Sequence, residues 1–298
     1  MAGRPLPAWL RQPIPSKDSL SAMSRVAASG ARTVCREAKC PNFGACISEG
    51  SLTFLILGGV CTRRCRFCNV EKDAKPSPPD PDEAGRIVRV MRDLGITYCV
   101  VTSVTRDDLP DGGAGSFLDV IRRVREDLPG IRIEVLIPDF GGERDSIRTV
   151  ASGRPDVAGH NVETVPRLYA ELRPGASYSR SLDVLRSLKD LEASRLVKTA
   201  LMLGLGETSA ETESTMRHIS DTGCDVLCLG QYLAPTAAHA PVRRYVEPAE
   251  FARLRKLGLE MGFKEVISGP LVRSSYKAGD VLKETVRGRS LRGHPSPI

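Results

Sequence analysis

The chain has 298 residues and a formal net charge of +7, and 41% of its residues are hydrophobic. This length suits one large α/β domain or two small ones. No run of 18 apolar residues occurs, so the sequence predicts no membrane span. The first residues lack the apolar stretch of a secretory signal. The nine cysteines are an odd number, which argues against a disulfide scaffold and favours thiols kept reduced in the cytoplasm.

The basic residues are mostly arginines and are scattered along the chain. A solvated surface with a compositional bias is one interpretation. The other is a basic face that attracts an acidic protein or an anionic cofactor. Nucleic-acid binding has no motif in its support.

The first 50 residues or so look irregular, with one short helix predicted near residues 19–29. From residue 51 strands and helices alternate until about residue 261. Several of the strands are continuous apolar runs, which is typical of parallel strands covered on both faces. The predicted strands are 51–59, 97–104, 131–137, 155–162, 195–203 and 224–233.

The helices between these strands have recognisable ends. Asp80 is predicted to cap a helix with Pro81 at its first position and Glu83 completing a capping box. Gly95 is predicted to end that helix. Six strand–helix units in a row suggest either a doubly wound sheet or a barrel, and the pattern alone leaves both open.

Six of the nine cysteines form two triplets of different spacing. The first triplet consists of Cys35, Cys40 and Cys46, and the second of Cys61, Cys65 and Cys68. Each offers three thiolates, one fewer than a closed site needs, so each predicts a metal centre with an open position. The second triplet directly follows the first predicted strand, where reactive residues of βα folds collect. Zinc is the alternative, although all four histidines are remote in sequence.

The C-x3-C-x2-C spacing of the second triplet, with Phe67 before its last cysteine, resembles the signature of the radical S-adenosylmethionine enzymes. In that family three thiolates hold a 4Fe-4S cluster, and the fourth iron chelates S-adenosylmethionine. One electron then cleaves this cofactor to a 5′-deoxyadenosyl radical. The resemblance implies a full or partial (β/α) barrel, and it places Phe67 near the adenine.

Further segments, between Cys35 and Lys277, resemble the lipoyl synthase family. They are REAKCPN (36–42), TFLILGGVCTRRCRFCNV (53–70), TSVTRDDLPDGG (102–113), HNVETV (160–165), RPGASY (173–178), LMLGLGE (201–207), GQYLAPT (230–236) and GPLVRSSYKA (269–278). The resemblance implies that the first triplet holds an auxiliary 4Fe-4S cluster. It also implies a serine of the RSSY segment as the fourth ligand, by position Ser275, with Ser274 as the alternative.

Six other residues are candidates for contact with the cofactor. Gly204, Gly206 and Glu207 resemble the glycine-rich segment that contacts the adenosyl group, although a plain strand-to-helix turn also explains them. Asn161, Glu163 and Lys198 could hold polar groups of the cofactor. Buried structural pairing is the alternative for these three.

The resemblance thus implies a partial (β/α)6 TIM-type barrel over residues 51–262. An extension at 1–50 carries the auxiliary-cluster cysteines, and one at 263–298 carries the RSSY segment. The implied reaction is radical insertion of two sulfur atoms at C6 and C8 of a protein-bound octanoyl-lysine. S-adenosylmethionine would supply the radicals, and the auxiliary cluster would supply the sulfide.

The implied partners are octanoylated lipoyl domains or the glycine-cleavage carrier protein, an electron donor such as flavodoxin or ferredoxin, and an iron–sulfur carrier protein. No nucleic acid and no membrane is expected as a partner. Two competing hypotheses remain at this point. One is another radical sulfur-inserting activity, such as biotin synthase or a methylthiotransferase. The other is a zinc-stabilised basic module that binds nucleic acid.

Overall fold

A computed structural model describes residues 6–11, 14–37, 40 and 42–275. Tyr276 to Ile298, which make up most of the predicted carboxyl-terminal extension, lie outside the described residues. The α-helices of the described part are α1 (Lys17–Ala28), α2 (Val34–Glu37), α3 (Phe43–Ser48), α4 (Glu83–Leu94), α5 (Ala114–Asp127), α6 (Arg144–Ser152), α7 (Tyr169–Leu172), α8 (Tyr178–Asp190), α9 (Ser209–Ser220) and α10 (Pro248–Glu260). The strands are β1 (Ser51–Ile56), β2 (Val60–Cys61), β3 (Glu71–Lys72), β4 (Tyr98–Ser103), β5 (Arg132–Leu136), β6 (Val157–Gly159), β7 (Leu196–Leu203), β8 (Val226–Gln231) and β9 (Glu265–Gly269).

The main sheet is parallel, and its strands follow one another in chain order, β1-β4-β5-β6-β7-β8-β9. A doubly wound sheet reverses its strand order at a switch point, and this sheet does not. The prediction of a partial (β/α) barrel is therefore confirmed. Among the described residues β1 and β9 do not pair, so the barrel is open between them.

The sheet has one strand more than the six predicted. β9 pairs in parallel with β8, from Val226 opposite Glu265 to Gly230 opposite Gly269. Its sequence, EVISG, is short and half polar, so it lacks the apolar run that marks the other strands. The predicted end of the barrel, at residue 262, therefore precedes a strand of the sheet.

The start of α4 also differs from the prediction. The helix begins at Glu83, with Asp82 as its N-cap, and no side chain caps it. Glu83 Oε2 instead accepts a hydrogen bond of 2.8 Å from the backbone N–H of Leu57, which lies after β1. A contact that distant in sequence overrides the local capping pattern. The end of the helix at Gly95, in the left-handed conformation at φ 62°, is as predicted.

The amino-terminal extension contacts both edges of the open barrel. Beside β1, Thr33 forms an antiparallel bridge with Phe54, and the N–H of Leu55 donates to the carbonyl of Arg32 at 3.0 Å. Beyond β9, Asn42 Nδ2 donates to the carbonyl of Leu271 at 2.6 Å. The extension thus occupies the gap that the sheet leaves between its first and last strands.

A membrane-spanning helix needs about 20 predominantly apolar residues. Within the described part of the chain, no helix combines the length and the apolar character needed to span a membrane.

Candidate active site

The second cysteine triplet lies in a loop that leaves β1 at its carboxyl end. The parallel pairing of β2 with β3, Val60 with Glu71 and Cys61 with Lys72, closes this loop. Cys61, Cys65 and Cys68 are all half-buried free thiols. Burial raises the pKa of Cys68 to about 11, and the neighbouring Cys65 and Cys61 contribute in the same direction. The three thiols are therefore close enough to influence one another.

Backbone hydrogen bonds to two other parts of the chain hold the segment between Cys65 and Cys68. The N–H of Arg66 donates to the carbonyl of Leu172 at 2.9 Å, and the carbonyl of Arg66 accepts from the N–H of Ala240 at 2.9 Å. Phe67 packs against a buried apolar cluster that contains Leu172, Leu205 and Tyr232. The prediction that Phe67 lies near a cofactor therefore implies that this cofactor lies over the carboxyl ends of the later strands of the sheet.

A cavity of about 130 Å³ opens beside this loop at the carboxyl ends of β4 to β6. Three buried polar atoms that line it have no hydrogen-bond partner among the described residues: Ser103 Oγ, Asn161 Oδ1 and Arg173 Nε. A buried polar atom without a partner is costly, and native proteins leave few of them. These three atoms fit a bound molecule that carries both donors and acceptors.

Asn161 and Glu163, two of the predicted cofactor contacts, line this same cavity. Asn161 Nδ2 donates to Glu163 Oε1 at 3.1 Å. Glu163 has a positive φ of 70°, a strained conformation that is frequent at functional sites. Burial raises the pKa of Glu163, and the positive charge of Arg173 opposes that rise.

Arg173 connects this cavity to the cysteine loop. Burial raises the pKa of the Cys65 thiol, and the guanidinium of Arg173 is the largest opposing influence. Arg173 Nη1 also donates to the carbonyls of Asn161 and Val162, each at 3.2 Å. One buried cation therefore faces Cys65 and Glu163 together.

Lys198 lies elsewhere. It is the third residue of β7, and Nζ donates to both carboxylate oxygens of Glu134, at 2.9 and 3.2 Å. The strand ends at Leu203, about 16 Å further along at roughly 3.3 Å per residue. Lys198 therefore forms a buried ion pair near the amino end of β7. The structure does not bring it to the cavity.

The glycine-rich turn after β7 is shaped by its own contacts. Gly204 has a φ of 96°, and a Cβ there would lie 2.3 Å from Gln231 Nε2 and 2.5 Å from the carbonyl of Arg244. Glu207 Oε1 and Oε2 accept from the N–H groups of Gly204 and Leu205, at 2.6 and 2.9 Å. Glu207 thus holds the turn itself. Gly206, with a φ of 113°, is exposed.

The first triplet lies in the amino-terminal extension, beside the segment after β9. Burial, together with the neighbouring Cys40 and Cys46, raises the pKa of Cys35 to about 12. Arg273 lies close enough to Cys40 for the two to interact electrostatically. Ser274 and Ser275 follow in a turn, and both are half-buried. The fold thus brings the predicted serine segment next to the first triplet from the far end of the chain.

A single metal ion is one possible occupant of a cysteine triplet. In the ranges that the structure describes, no group of three or more His, Cys, Asp or Glu side chains could hold a metal ion. A single zinc needs its sulfur atoms about 2.3 Å from one point, whereas a 4Fe-4S cluster spreads its thiolates over different irons. The donor set of three neighbouring thiols in each triplet fits a cluster.

Four residues at this site were not predicted as site residues: Arg63, Ser103, Asp139 and Arg173. Ser103 is the last residue of β4, Asp139 follows β5, Arg63 follows β2, and Arg173 follows α7. The rule that functional residues gather at the carboxyl ends of barrel strands could have pointed to Ser103 and Asp139. Arg173 is the first residue of the RPGASY segment. That segment is part of the resemblance described above, but no role was inferred for its arginine.

His160 also borders the cavity, and its burial predicts a pH dependence. Its ring contacts the carbonyl of Ile137 at 2.9 Å and Ser181 Oγ at 3.0 Å. Burial, reinforced by the charge of Arg173, lowers its pKa from 6.5 to about 4. The unfolded chain therefore binds a proton below pH 6.5 that the folded chain does not bind until about pH 4. Stability should fall by about 3 kcal/mol across that interval.

Urea unfolding of the cluster-free chain at a series of pH values measures this effect. Substitution of His160→Gln, which keeps polar contacts but does not titrate, should remove this part of the pH dependence. A variant that keeps the full wild-type slope between pH 6.5 and 4 would show that His160 is not its source.

Comparison with known proteins agrees with this geometry. Residues 55–219 match the family model of the Radical SAM superfamily. Lipoyl synthase from Rubrobacter xylanophilus is 48% identical over 289 residues, which cover 95% of this chain and 88% of that protein. Lipoyl synthase from Caldanaerobacter subterraneus subsp. tengcongensis is also 48% identical, over 95% of this chain and 98% of that protein. The chain belongs to the lipoyl synthase family.

Solved structures show the same fold at low identity. Streptococcus suis SuiB bound to its precursor peptide SuiA matches 82% of this chain and 50% of its own, with a TM-score of 0.54 and 11% identity. Methylornithine synthase (PylB) matches 82% of this chain and 83% of its own, with a TM-score of 0.53 and 16% identity. As a member of the lipoyl synthase family, the chain is a sulfur-inserting radical S-adenosylmethionine enzyme that uses 4Fe-4S clusters.

Proposed function

We propose that this chain converts a protein-bound octanoyl-lysine into lipoyl-lysine by inserting sulfur at C6 and C8. The C–H bonds at these carbons carry no activating group, so proton transfer to a side chain cannot open them. When bound, S-adenosylmethionine and the two 4Fe-4S clusters supply the radical chemistry and the sulfur. The side chains described above bind and orient these groups.

Cys61, Cys65 and Cys68 would hold the cluster that binds S-adenosylmethionine. The cavity next to them offers a cation at Arg173, a carboxylate at Glu163 and two unpartnered polar atoms at Ser103 and Asn161. This complementary set suits the amino and carboxylate groups of S-adenosylmethionine. Phe67 and the glycine-rich turn with Gly204, Gly206 and Glu207 would border its adenosyl part and exclude water.

Cys35, Cys40 and Cys46 would hold the auxiliary cluster, with Ser275 as the fourth ligand. The observation that carries this proposal is the contact between the two ends of the chain, where Asn42 Nδ2 donates to Leu271 at 2.6 Å. The electrostatic interaction of Arg273 with Cys40 supports it, because Arg273 directly precedes the two serines in the chain. Serine oxygen is a harder ligand than thiolate, and so suits a cluster that must later release sulfur.

Comparison of Ser275→Ala with Ser274→Ala tests the fourth ligand, because both serines are half-buried in one turn. We expect Ser275→Ala to assemble two clusters with an altered spectrum of the auxiliary one, and to lose most sulfur insertion. Ser274→Ala should resemble the wild type. Mössbauer spectra of the two reconstituted variants provide the measurement. The reverse pattern would assign the ligand to Ser274.

The proposed partners follow from the substrate. The octanoyl chain would arrive on a lipoyl domain or on the glycine-cleavage carrier protein, and flavodoxin or ferredoxin would donate electrons. An iron–sulfur carrier protein would rebuild the auxiliary cluster after each turnover. We place the enzyme in the cytoplasm, because six of its nine cysteines are assigned to clusters and the other three are buried thiols, a usage typical of a reducing compartment.

Metal analysis after anaerobic reconstitution tests the two-cluster assignment. Two 4Fe-4S clusters correspond to about eight irons and eight sulfides per chain. One or two zinc ions with no sulfide would instead fit a zinc-stabilised module and would contradict the proposal.

A further inference from the structure

Arg63 differs from the other arginines of the cysteine loop. It lies between Cys61 and Cys65, yet its side chain is only 8% exposed. Its neighbour Arg64 is exposed and has no partner among the residues that the structure describes. A buried guanidinium is costly unless its charge is paired and its N–H groups are bonded, so the burial of Arg63 requires a specific arrangement.

Two carboxylates from successive loops provide that arrangement. Arg63 Nε and Nη2 donate to Asp107 Oδ2 and Oδ1, both at 2.8 Å. Nη2 also donates to Asp139 Oδ1 at 2.6 Å, and Asp139 is fully buried. Asp107 follows β4 and Asp139 follows β5, so one side chain of the loop reaches the ends of two strands.

Asp139 is itself fixed by other groups. Its Oδ1 accepts from the N–H of Gly141 at 3.1 Å, and its Oδ2 accepts from Arg180 Nη1 at 3.4 Å. Thr62, next to Arg63, adds a second attachment to the loop after β4. The N–H of Thr62 donates to the carbonyl of Thr105 at 3.0 Å. Asp139 is thus held in place independently of Arg63, and Thr62 anchors the cysteine loop beside it.

The two intervals between successive thiols are therefore held separately. The interval from Cys61 to Cys65 is held by Arg63 and Thr62. The interval from Cys65 to Cys68 is held by the backbone of Arg66 and by Phe67. The strands β4 and β5 pair directly through five residues and do not need Arg63 to stay together. Loss of Arg63 should consequently move the thiols rather than the sheet.

We propose that Arg63 is the positioning residue of the second triplet. It anchors the loop that carries Cys61 and Cys65 to the carboxyl ends of β4 and β5, and so fixes the spacing of the two thiols. The open position of the cluster that these thiols would hold is thereby directed at the cavity. This inference rests on the proposed function, because it takes the second triplet as the site of the cluster that binds S-adenosylmethionine. It assigns no role to Arg63 at the auxiliary cluster.

The matched test compares Arg63→Met with Arg64→Met in the full chain. Both replace an arginine of the same loop, but only the first removes the paired guanidinium. Each protein is reconstituted anaerobically and reduced, and its EPR spectrum is recorded with and without S-adenosylmethionine. We expect the spectral change on adding S-adenosylmethionine to be lost in Arg63→Met and kept in Arg64→Met. The signal of the auxiliary cluster should persist in both and serves as the internal reference.

Two further variants keep the test decisive if Arg63→Met does not fold. Arg63→Lys retains a charge but not the forked geometry, and Asp107→Asn leaves the bond to Asp139 in place. Both should weaken the binding of S-adenosylmethionine at least several-fold, with the auxiliary signal unchanged.

The outcomes separate this inference from the proposed function. A wild-type protein whose spectrum does not respond to S-adenosylmethionine would overturn the proposed function. A responsive wild type with Arg63 variants that match Arg64→Met would overturn the role of Arg63 alone. Parallel loss of both cluster signals in Arg63→Lys and Asp107→Asn as well as in Arg63→Met would also overturn it, because Arg63 would then support the whole fold.

Discussion

Substitution of Cys65→Ala should abolish reductive cleavage of S-adenosylmethionine. Cys65 is the middle thiol of the second triplet, at the junction of the two separately held intervals, and it faces Arg173. If the second triplet holds the cluster as proposed, the two remaining thiols are too few to keep it in place. The 5′-deoxyadenosine formed by the reduced, reconstituted variant should therefore fall to the background level, while the auxiliary cluster is still assembled.

Cys99→Ala is the matched control for this experiment. Cys99 is a fully buried thiol in β4, away from both triplets. Like Cys224 and Cys228 it is a buried thiol outside the two triplets. Its loss should cost some stability through a small cavity and leave cleavage intact. Substantial cleavage by Cys65→Ala would contradict the assignment of the second triplet.

Substitution of Cys40→Ala should spare cleavage of S-adenosylmethionine and abolish sulfur insertion. Cys40 lies in the amino-terminal extension, where its N–H donates to the carbonyl of Cys35 at 3.0 Å and Arg273 is its neighbour. Its loss removes a ligand of the proposed sulfur donor and leaves the second triplet untouched. Cleavage of S-adenosylmethionine should continue, but no sulfur should reach the octanoyl chain. Formation of 5′-deoxyadenosine and of the sulfur-containing product, measured in the same reaction, gives the two readouts. Lipoyl product from this variant would show that the first triplet is not the donor.

The sequence predicts those strands whose burial on both faces requires a continuous run of apolar residues. β4 and β7 are apolar runs that are covered on both faces, and each was expected within a few residues of its observed bounds. β9 was missed because EVISG is short and half polar. The capping role predicted for Glu83 was wrong because its carboxylate bonds to Leu57, a partner that no local pattern reveals.

The site was predictable in the same uneven way. Closely spaced cysteines are visible in the sequence, so both triplets could be identified before any coordinates. The groups that hold them were not, because the partners of Arg63, Asp107 and Asp139, lie 44 and 76 residues away. Lys198 was predicted as a candidate contact because it stands in a strand of the barrel. The sequence does not reveal that its ammonium group is already paired with the carboxylate of Glu134.

One measurement tests the central claim most directly. The reconstituted protein is incubated anaerobically with a reductant, S-adenosylmethionine and an octanoylated lipoyl-domain peptide, and the peptide is analysed by mass spectrometry. We predict a peptide that has gained two sulfur atoms as a dithiol while the reductant is present, and that loses two hydrogens when the dithiol is oxidised to the cyclic disulfide after the reaction. Cys40→Ala, run in parallel, should give no such product. An unmodified octanoyl peptide from a wild-type protein that carries both clusters and cleaves S-adenosylmethionine would contradict the account.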